Sequence, residues 1–342
     1  MESDSELVVV VSQRLGAPSD EEKRISTAGA TLRSEALWTL DEIQVNARDA
    51  SIILLGAVEP FDATALESLP NLIAIVRRGV GVDNVDVVAA SRLGIVVANV
   101  PDASVEEVSD HALALLLSIE RAVPWLDVAV RDGLWAKDPS HVQAVRARSR
   151  RLSELTVGIV GLGRIGQAFA RKARPIYARM VGSDPIVTHA VAADLGIELV
   201  PADELLSRSD HVTLHAPLLP STHHLINARS IATMRSGAVL VNTARGGLVD
   251  AAAVMGSIRA GHLGGAGLDV TDPEPLPGDH ALLKSERIII TAHSASSSVT
   301  TAAELTRRSV DAVIALLRGD PPDSTANPEV WESNNLRLAA HH

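Results

Sequence analysis

Three residues that lie far apart in the chain are of the types that move a proton beside a bound anion. Arg245 stands in VLVNTARGGLVD (239–250), Glu274 in LDVTDPEPLP (268–277) and His293 in IIITAHSAS (288–296). An imidazole titrates near neutrality, so His293 can give a proton to an oxygen or take one back. Glu274 can accept from the other ring nitrogen and orient the ring. Arg245 offers a planar fork that grips a carboxylate or polarises a carbonyl, and the two glycines behind it keep bulk away while the chain turns. Taken singly, each has an ordinary structural explanation: a strand-end histidine, a solvated glutamate between prolines, an arginine anchoring an ion pair. Each, however, follows an apolar run, and open parallel sheets bind ligands beyond the carboxyl ends of their strands.

A fourth segment supplies the companion chemistry. TVGIVGLGRIGQAFARKA (156–173) carries Gly161, Gly163 and Gly166 in G-x-G-x-x-G order, directly after a strand-like run and at the start of an amphipathic helix. The first glycine allows a tight turn, the second lets a pyrophosphate approach the backbone, and the third lets helix and strand pack closely. With Leu162, Arg164 and Ile165, the turn and the helix start can hold that anion through N–H groups. The alternative is a plain strand–turn–helix whose glycines serve packing. Asp184 ends the next strand, where a carboxylate can bond the ribose hydroxyls and repel a 2′-phosphate; otherwise it caps a helix before Pro185. No arginine stands beside it, so NAD is favoured over NADP. With a nicotinamide on the same rim, the cofactor can pass a hydride to the carbon of a 2-oxo acid while His293 passes a proton to its oxygen, and both steps can reverse. The expected partner is a small anionic 2-oxo or 2-hydroxy acid.

The elements that must position these residues alternate. LVVVVS (7–12), SIILLGA (51–57), LIAIVR (72–77) and GIVVAN (94–99) read as strands, and so do TVGIVG (156–161), ARMVGSD (178–184), HVTLHA (211–216), AVLVNTA (238–244), GAGLDV (265–270) and RIIITAH (287–293). Helical segments separate them. The pattern predicts an α/β protein with two Rossmann-like or flavodoxin-like domains, each with a parallel sheet. At roughly 150 residues per domain, 342 residues also suggest two. Two long helices look like the joints. One starts at Ser104, with Glu107 completing a capping-box pattern, and the other runs from about Val299 to Leu317. The stretch 134–150, rich in Arg and Ser, reads as an exposed arm or loop.

Composition narrows the partners. A net charge of −11 and 2% aromatic residues argue against nucleic acid, which needs cationic surfaces and stacking platforms. With no cysteine, disulfides, thiolate metal sites and cysteine nucleophiles are excluded together. The beginning MESDSELVVVV is acidic ahead of its apolar run, the wrong order for a secretory signal, and ALALLLSI (112–119) is too short to span a bilayer. A cytoplasmic protein without membrane partners is expected. His223 and His224 have no carboxylate at metal-ligand spacing, so no metal is expected. The terminal His341 and His342 are set aside.

The motifs together resemble the D-isomer-specific 2-hydroxyacid dehydrogenases, and within them the C-terminal-binding-protein branch. The likeness runs over about residues 50–325, through VRRGVGVDNVD (76–86), NVPDASVEEVSDHALALLL (99–117), VGIVGLGRIGQAFARKA (157–173), SDHVTLHAPLLPSTHHLIN (209–227), VLVNTARGGLVD, GAGLDVTDPEPL (265–276) and ITAHSAS (290–296). The resemblance implies a catalytic triad of Arg245, Glu274 and His293, and a loop of Gly79, Val80 and Gly81 that meets the substrate carboxylate beside Arg77. It implies Ala216, Pro217 and Thr222 near adenine and ribose, Thr243 and Ala244 against the nicotinamide, Asp269 on its carboxamide, and Ser296 together with Arg245 and His293 around the cofactor. It implies a nucleotide-binding domain at 104–296, inserted into a discontinuous substrate domain at 1–103 and 297–342. A cleft that closes by hinge motion and a homodimer built on an arm at about 110–150 are implied too.

Several positions depart from the branch. Ala292 replaces a usual proline, Ser296 a tryptophan, Val80 a small polar residue, and Thr271 a common aromatic. The corepressor's aromatic pocket wall is therefore not expected here. Glu274 in place of glutamine weighs against a formate dehydrogenase. The chain ends soon after its last helix, which weighs against phosphoglycerate dehydrogenases with regulatory extensions. Two alternatives stay open: an NAD(H)-sensing binding protein with little turnover, and a dehydrogenase of a phosphorylated or phosphonate acid whose extra charge Arg77 and Arg78 would hold.

Overall fold

Short β-branched runs fold as parallel strands, with helices between them, across residues 7–340, which the computed structural model describes. The chain divides into two units, Met1–Ser104 with Ser298–His342, and Val105–Ser297. The first holds β1 (Val8–Ser12), β2 (Thr31–Glu35), β3 (Ile52–Leu55), β4 (Ala74–Arg77) and β5 (Val96–Ala98), in the order β2-β1-β3-β4-β5. All its pairings are parallel. Every residue of β3 is buried, as a central strand covered on both faces must be. The helix Val299–Leu317 belongs to this unit and packs Val310, Val313 and Leu316 into the cluster formed by Val9, Val11 and Ile52. Ser298 caps its start by accepting from Thr301 N at 2.9 Å.

The second unit holds β6 (Thr156–Val160), β7 (Arg179–Ser183), β8 (Ile197–Leu199), β9 (His211–Leu214), β10 (Ala238–Asn242), β11 (Leu263–Leu268) and β12 (Ile288–Ile290). Their order is β12-β11-β10-β9-β6-β7-β8, again all parallel. The chain runs outward to one edge through β8, then returns to β9 on the other side of β6. That reversal opens a crevice beyond the ends of β6 and β9. The helix Val105–Glu120 backs this sheet. It lies so close to β11 that a Cβ on Gly267 would sit 3.0 Å from Leu115 Cβ.

Two edge strands, β2 and β8, lie outside the expected set. β2 is half-buried along its whole length, so TLRSE carries no apolar run to announce it. The expected loop at 134–150 is mostly helical, with helices at Leu134–Lys137 and Pro139–Arg146. Asp138 accepts from His141 N and Pro139 takes the first helical position, a start signal hidden among polar residues. Val142 and Val145 are buried beneath it. Among the described residues, no helix is long and apolar enough to cross a membrane, and no cluster of His, Asp and Glu could hold a metal.

Candidate active site

Register aligns the three strand ends that carry the trio. Asn242 of β10 lies beside Leu268 of β11, which lies beside Ile290 of β12. Arg245, Glu274 and His293 therefore emerge from adjacent strands on one rim. Asn242 bends the chain there: its side chain accepts from Ala244 N at 3.0 Å and donates to the Arg245 carbonyl at 2.8 Å. The Arg245 guanidinium donates to the Ala244 carbonyl. A Cβ on Gly246 would fall 2.0 Å from the Thr271 carbonyl oxygen, so glycine is required where the arginine loop meets the loop leading to Glu274.

Glu274 and His293 are in direct contact, with Nδ1 and Oε1 2.5 Å apart. A carboxylate there accepts from an Nδ1–H tautomer, which makes Nε2 the reacting nitrogen. Both side chains keep about a third of their surface exposed, 39% for His293 and 33% for Glu274, so the pair is open to a ligand.

The backbone under His293 is unusual. Its φ is +48°, in the left-handed region, which costs a non-glycine residue about 1–2 kcal/mol. Asp269 holds it there. Its carbonyl accepts from His293 N at 2.8 Å, and its carboxylate accepts from Ser294 N and Ala295 N at 2.9 Å each and from Thr291 Oγ1 at 2.5 Å. The side chain is fully buried. A place on the nicotinamide carboxamide is expected of Asp269. In this structure its carboxylate holds the turn that carries the imidazole. Thr291 in turn meets His111 Nε2 at 2.9 Å. Sequence reading misses both His111 and Thr291; the one available signal is a lone histidine immediately before the apolar run ALALLLSI.

The glycine turn has the shape a dinucleotide needs. Gly161 has a φ of +87°, and a Cβ on it would meet Ala216 N at 2.7 Å, which locks the ends of β6 and β9 together. A Cβ on Gly166 would fall 2.0 Å from the Gly161 carbonyl oxygen, the close packing expected of the third glycine. Gly163 has open space around it and begins the helix Arg164–Ala173 without a side-chain cap. The first-turn N–H groups, those of Arg164 and Ile165 among them, are thus available to an anion. Thr243 Oγ1, just past β10, is buried with no hydrogen-bond partner, an orphan that a ligand can satisfy. These features fit NAD.

Asp184 follows β7, and its carboxylate accepts from Leu162 N at 2.7 Å, from Ile186 N at 2.8 Å and from Val187 N at 3.0 Å. Burial acts to raise its pKa, but these three donors outweigh burial and hold it below the ordinary carboxylate range. Leu162 N is thereby engaged within the protein, and its side chain is buried. Thr222 Oγ1 closes its own loop on the Pro217 carbonyl at 2.7 Å, while Ala216 is buried and Ser296 half-buried.

In the first unit, Arg77 lies across Gly79: a Cβ there would be 1.4 Å from Nη1, and the glycine φ is +149°. The loop is tied back by Val100 N to the Gly79 carbonyl and by Asn99 Nδ2 to the Val80 carbonyl. Arg78 serves the fold instead. It pairs with the buried Glu22 at 3.3 Å and donates to Thr306 Oγ1 and to the Leu15 carbonyl.

Residues 113–295 match the family profile described as the NAD-binding domain of D-isomer-specific 2-hydroxyacid dehydrogenases. A glyoxylate reductase of Korarchaeum cryptofilum is 39% identical over 284 residues, covering 82% of this chain and 83% of the relative. A D-3-phosphoglycerate dehydrogenase of Mycobacterium tuberculosis is 38% identical over 258 residues, 75% of this chain and 47% of the relative. This chain thus matches about half the length of that relative. Among solved structures, the TT0316 protein of Thermus thermophilus superposes with a TM-score of 0.84 and 35% identity, over 94% of this chain and all of the other.

Proposed function

This chain belongs to the D-isomer-specific 2-hydroxyacid dehydrogenase family, and on that premise we propose that it interconverts a small, unphosphorylated D-2-hydroxy acid and its 2-oxo acid. The carrying observation is the 2.5 Å contact between His293 Nδ1 and Glu274 Oε1 on the rim shared with Arg245. When bound, NAD supplies the nicotinamide that gives or takes the hydride. His293 Nε2 gives the proton to the oxo group, or removes it from the hydroxyl in reverse. Glu274 fixes the tautomer and faces the imidazolium formed on oxidation. Arg245 grips the carboxylate or polarises the carbonyl. In the first unit, the N–H groups of Val80 and Gly81 have no hydrogen-bond partner among the described residues and, beside Arg77, can receive an anion.

Two observations support a small substrate. Arg78, which a phosphorylated acid would need as a second grip, is committed to Glu22. The relative matched over most of its length is named a glyoxylate reductase. We also infer a homodimer formed through the helical arm Val123–Arg146. Val123, Val128 and Val130 are exposed there, and Trp135 is 60% exposed. Exposed large apolar side chains concentrated in one short segment suit an interaction surface.

The test is NADH oxidation with a panel of 2-oxo acids, beginning with glyoxylate, and with phosphate analogues as competitors. Turnover without phosphate competition is expected. His293→Ala should cut kcat by about 10²- to 10⁴-fold and spare NADH affinity. Tight NADH binding with no turnover on any acid would point instead to an NAD(H)-sensing protein of the C-terminal-binding-protein kind.

A further inference from the structure

The turn that presents His293 is braced from the helix behind the sheet. Both oxygens of the Asp269 carboxylate accept backbone N–H groups of that turn, and Oδ1 also lies 2.5 Å from Thr291 Oγ1. The threonine proton must lie between them, because the carboxylate only accepts. Thr291 Oγ1 is then an acceptor toward His111, 2.9 Å away, so His111 carries its proton on Nε2. The same nitrogen lies 3.6 Å from Asp269 Oδ1. His111 rides on Val105–Glu120, and that helix is itself held by Leu115 and Ile119 against Gly265 and Gly267 of β11. A line of contacts therefore runs from a rigid helix through His111, Thr291 and Asp269 to the left-handed backbone of His293, and on to Glu274.

We propose that His111 is a positioning residue for His293: its Nε2–H locks the Thr291–Asp269 clamp in the state that keeps the imidazole against Glu274. The proposal rests on the dehydrogenase reading for its kinetic consequence, though not for its geometry. Without the His111 donor, the Thr291 hydroxyl can rotate to other acceptors, and the Asp269 carboxylate then holds the turn only beyond His293, through Ser294 N and Ala295 N. The imidazole is displaced relative to its substrate, while the NAD cradle at β6 and β7 is untouched.

The test compares His111→Leu, His111→Gln, Thr291→Val and the double variant His111→Leu/Thr291→Val. His111→Leu removes the donor at similar bulk, and His111→Gln places an amide N–H near the original Nε2. Expected is a loss of about 5- to 30-fold in kcat for His111→Leu, the scale set by sub-ångström misplacement, with NADH affinity held within about twofold. His111→Gln should recover most of that loss, and the double variant should be no slower than Thr291→Val alone. A wild-type kcat in His111→Leu, a glutamine variant as slow as the leucine one, or additive losses would each overturn the proposal. Nitrogen-15 NMR of the His293 ring reads the same geometry without turnover. If the wild-type protein reduces none of the acids, the dehydrogenase reading fails on its own. A His293 ring signal shifted in His111→Leu and restored in His111→Gln would then still uphold the clamp, and an unmoved signal would end it.

Discussion

Gly246 lies against Thr271 so tightly that a methyl group on its Cα would penetrate the Thr271 carbonyl, at 2.0 Å from the oxygen and 2.1 Å from the carbon. Through that contact, the loop that delivers Arg245 and the loop that delivers Glu274 set each other's position.

Gly246→Ala must push one loop off the other, because the obstructing atoms are backbone. We expect kcat to fall by about tenfold or more as Arg245 shifts against the Glu274–His293 pair, with NADH affinity little changed. Gly163→Ala is the control. Nothing lies within 4 Å of the added methyl, and the φ of −68° suits any residue. That variant should melt like the wild type yet bind NADH about tenfold more weakly or worse, because the methyl enters the space kept for the pyrophosphate. Steady-state kinetics, NADH titration and thermal melts separate the two. A Gly163→Ala protein with unchanged NADH affinity would remove the turn from the cofactor site.

The contrast between these glycines shows which parts of the site can be read from sequence. Arg245, Glu274 and His293 are legible because each follows an apolar run that ends abruptly in polar residues, and parallel strands place such ends on one rim. The G-x-G-x-x-G turn is legible because its three glycines answer three separate steric demands. The Asp269 clamp is not. It depends on a buried carboxylate meeting a turn about two dozen positions later, and no periodicity marks that meeting. Arg77 and Arg78 look alike as neighbours, but only the folded chain shows that Arg78 serves Glu22. Strands β2 and β8 escaped for a related reason: both are edge strands that stay partly exposed and carry charged residues, so the apolar run that announces a buried strand is missing.

Acid should weaken the second unit through a buried chain at the base of its sheet. Tyr177 Oη lies 2.7 Å from His211 Nδ1, His211 Nε2 lies 2.8 Å from Glu120 Oε2, and Arg150 Nη2 donates to the same carboxylate at 2.7 Å. Burial holds the His211 imidazole below its ordinary 6.5, with the Glu120 bond opposing it only in part. Burial alone would raise Glu120, but the hydrogen bonds from His211 and Arg150 win and hold it at about 2, below its ordinary 4.5. Both folded values are depressed, so in each case the unfolded chain takes up the proton first. The stabilisation is complete above pH 6.5 for His211 and above pH 4.5 for Glu120, and it drains away as pH falls, for Glu120 until about 2. Urea unfolding from pH 8 to pH 4 should show stability declining below about pH 6.5, by up to about 1.4 kcal/mol per pH unit for each such group. His211→Gln should lie furthest below the wild type at high pH, and the gap should narrow with acid. A gap that stays constant across the range would mean that His211 is not held neutral.

Asp184 gives the remaining prediction, because it has two tasks that can be separated. Its carboxylate ties down Leu162 N in the glycine turn, and its negative charge stands where the cofactor's ribose is expected. Asp184→Asn keeps one acceptor oxygen for Ile186 N and Val187 N but loses the charge and the Leu162 bond, so NADH affinity should fall. Ile186 is 87% exposed, and an arginine there carries no packing cost. In the presence of Asp184, Ile186→Arg should leave the cofactor preference almost unchanged, because the carboxylate still repels a 2′-phosphate. Combined with Asp184→Asn, it should lower the ratio of kcat/KM for NADH over NADPH by about five- to tenfold or more, the worth of one like-charge contact removed near a surface. A ratio that does not move in the double variant would leave Asp184 as a brace for the turn alone, and the choice of NAD would have to be made elsewhere in the site.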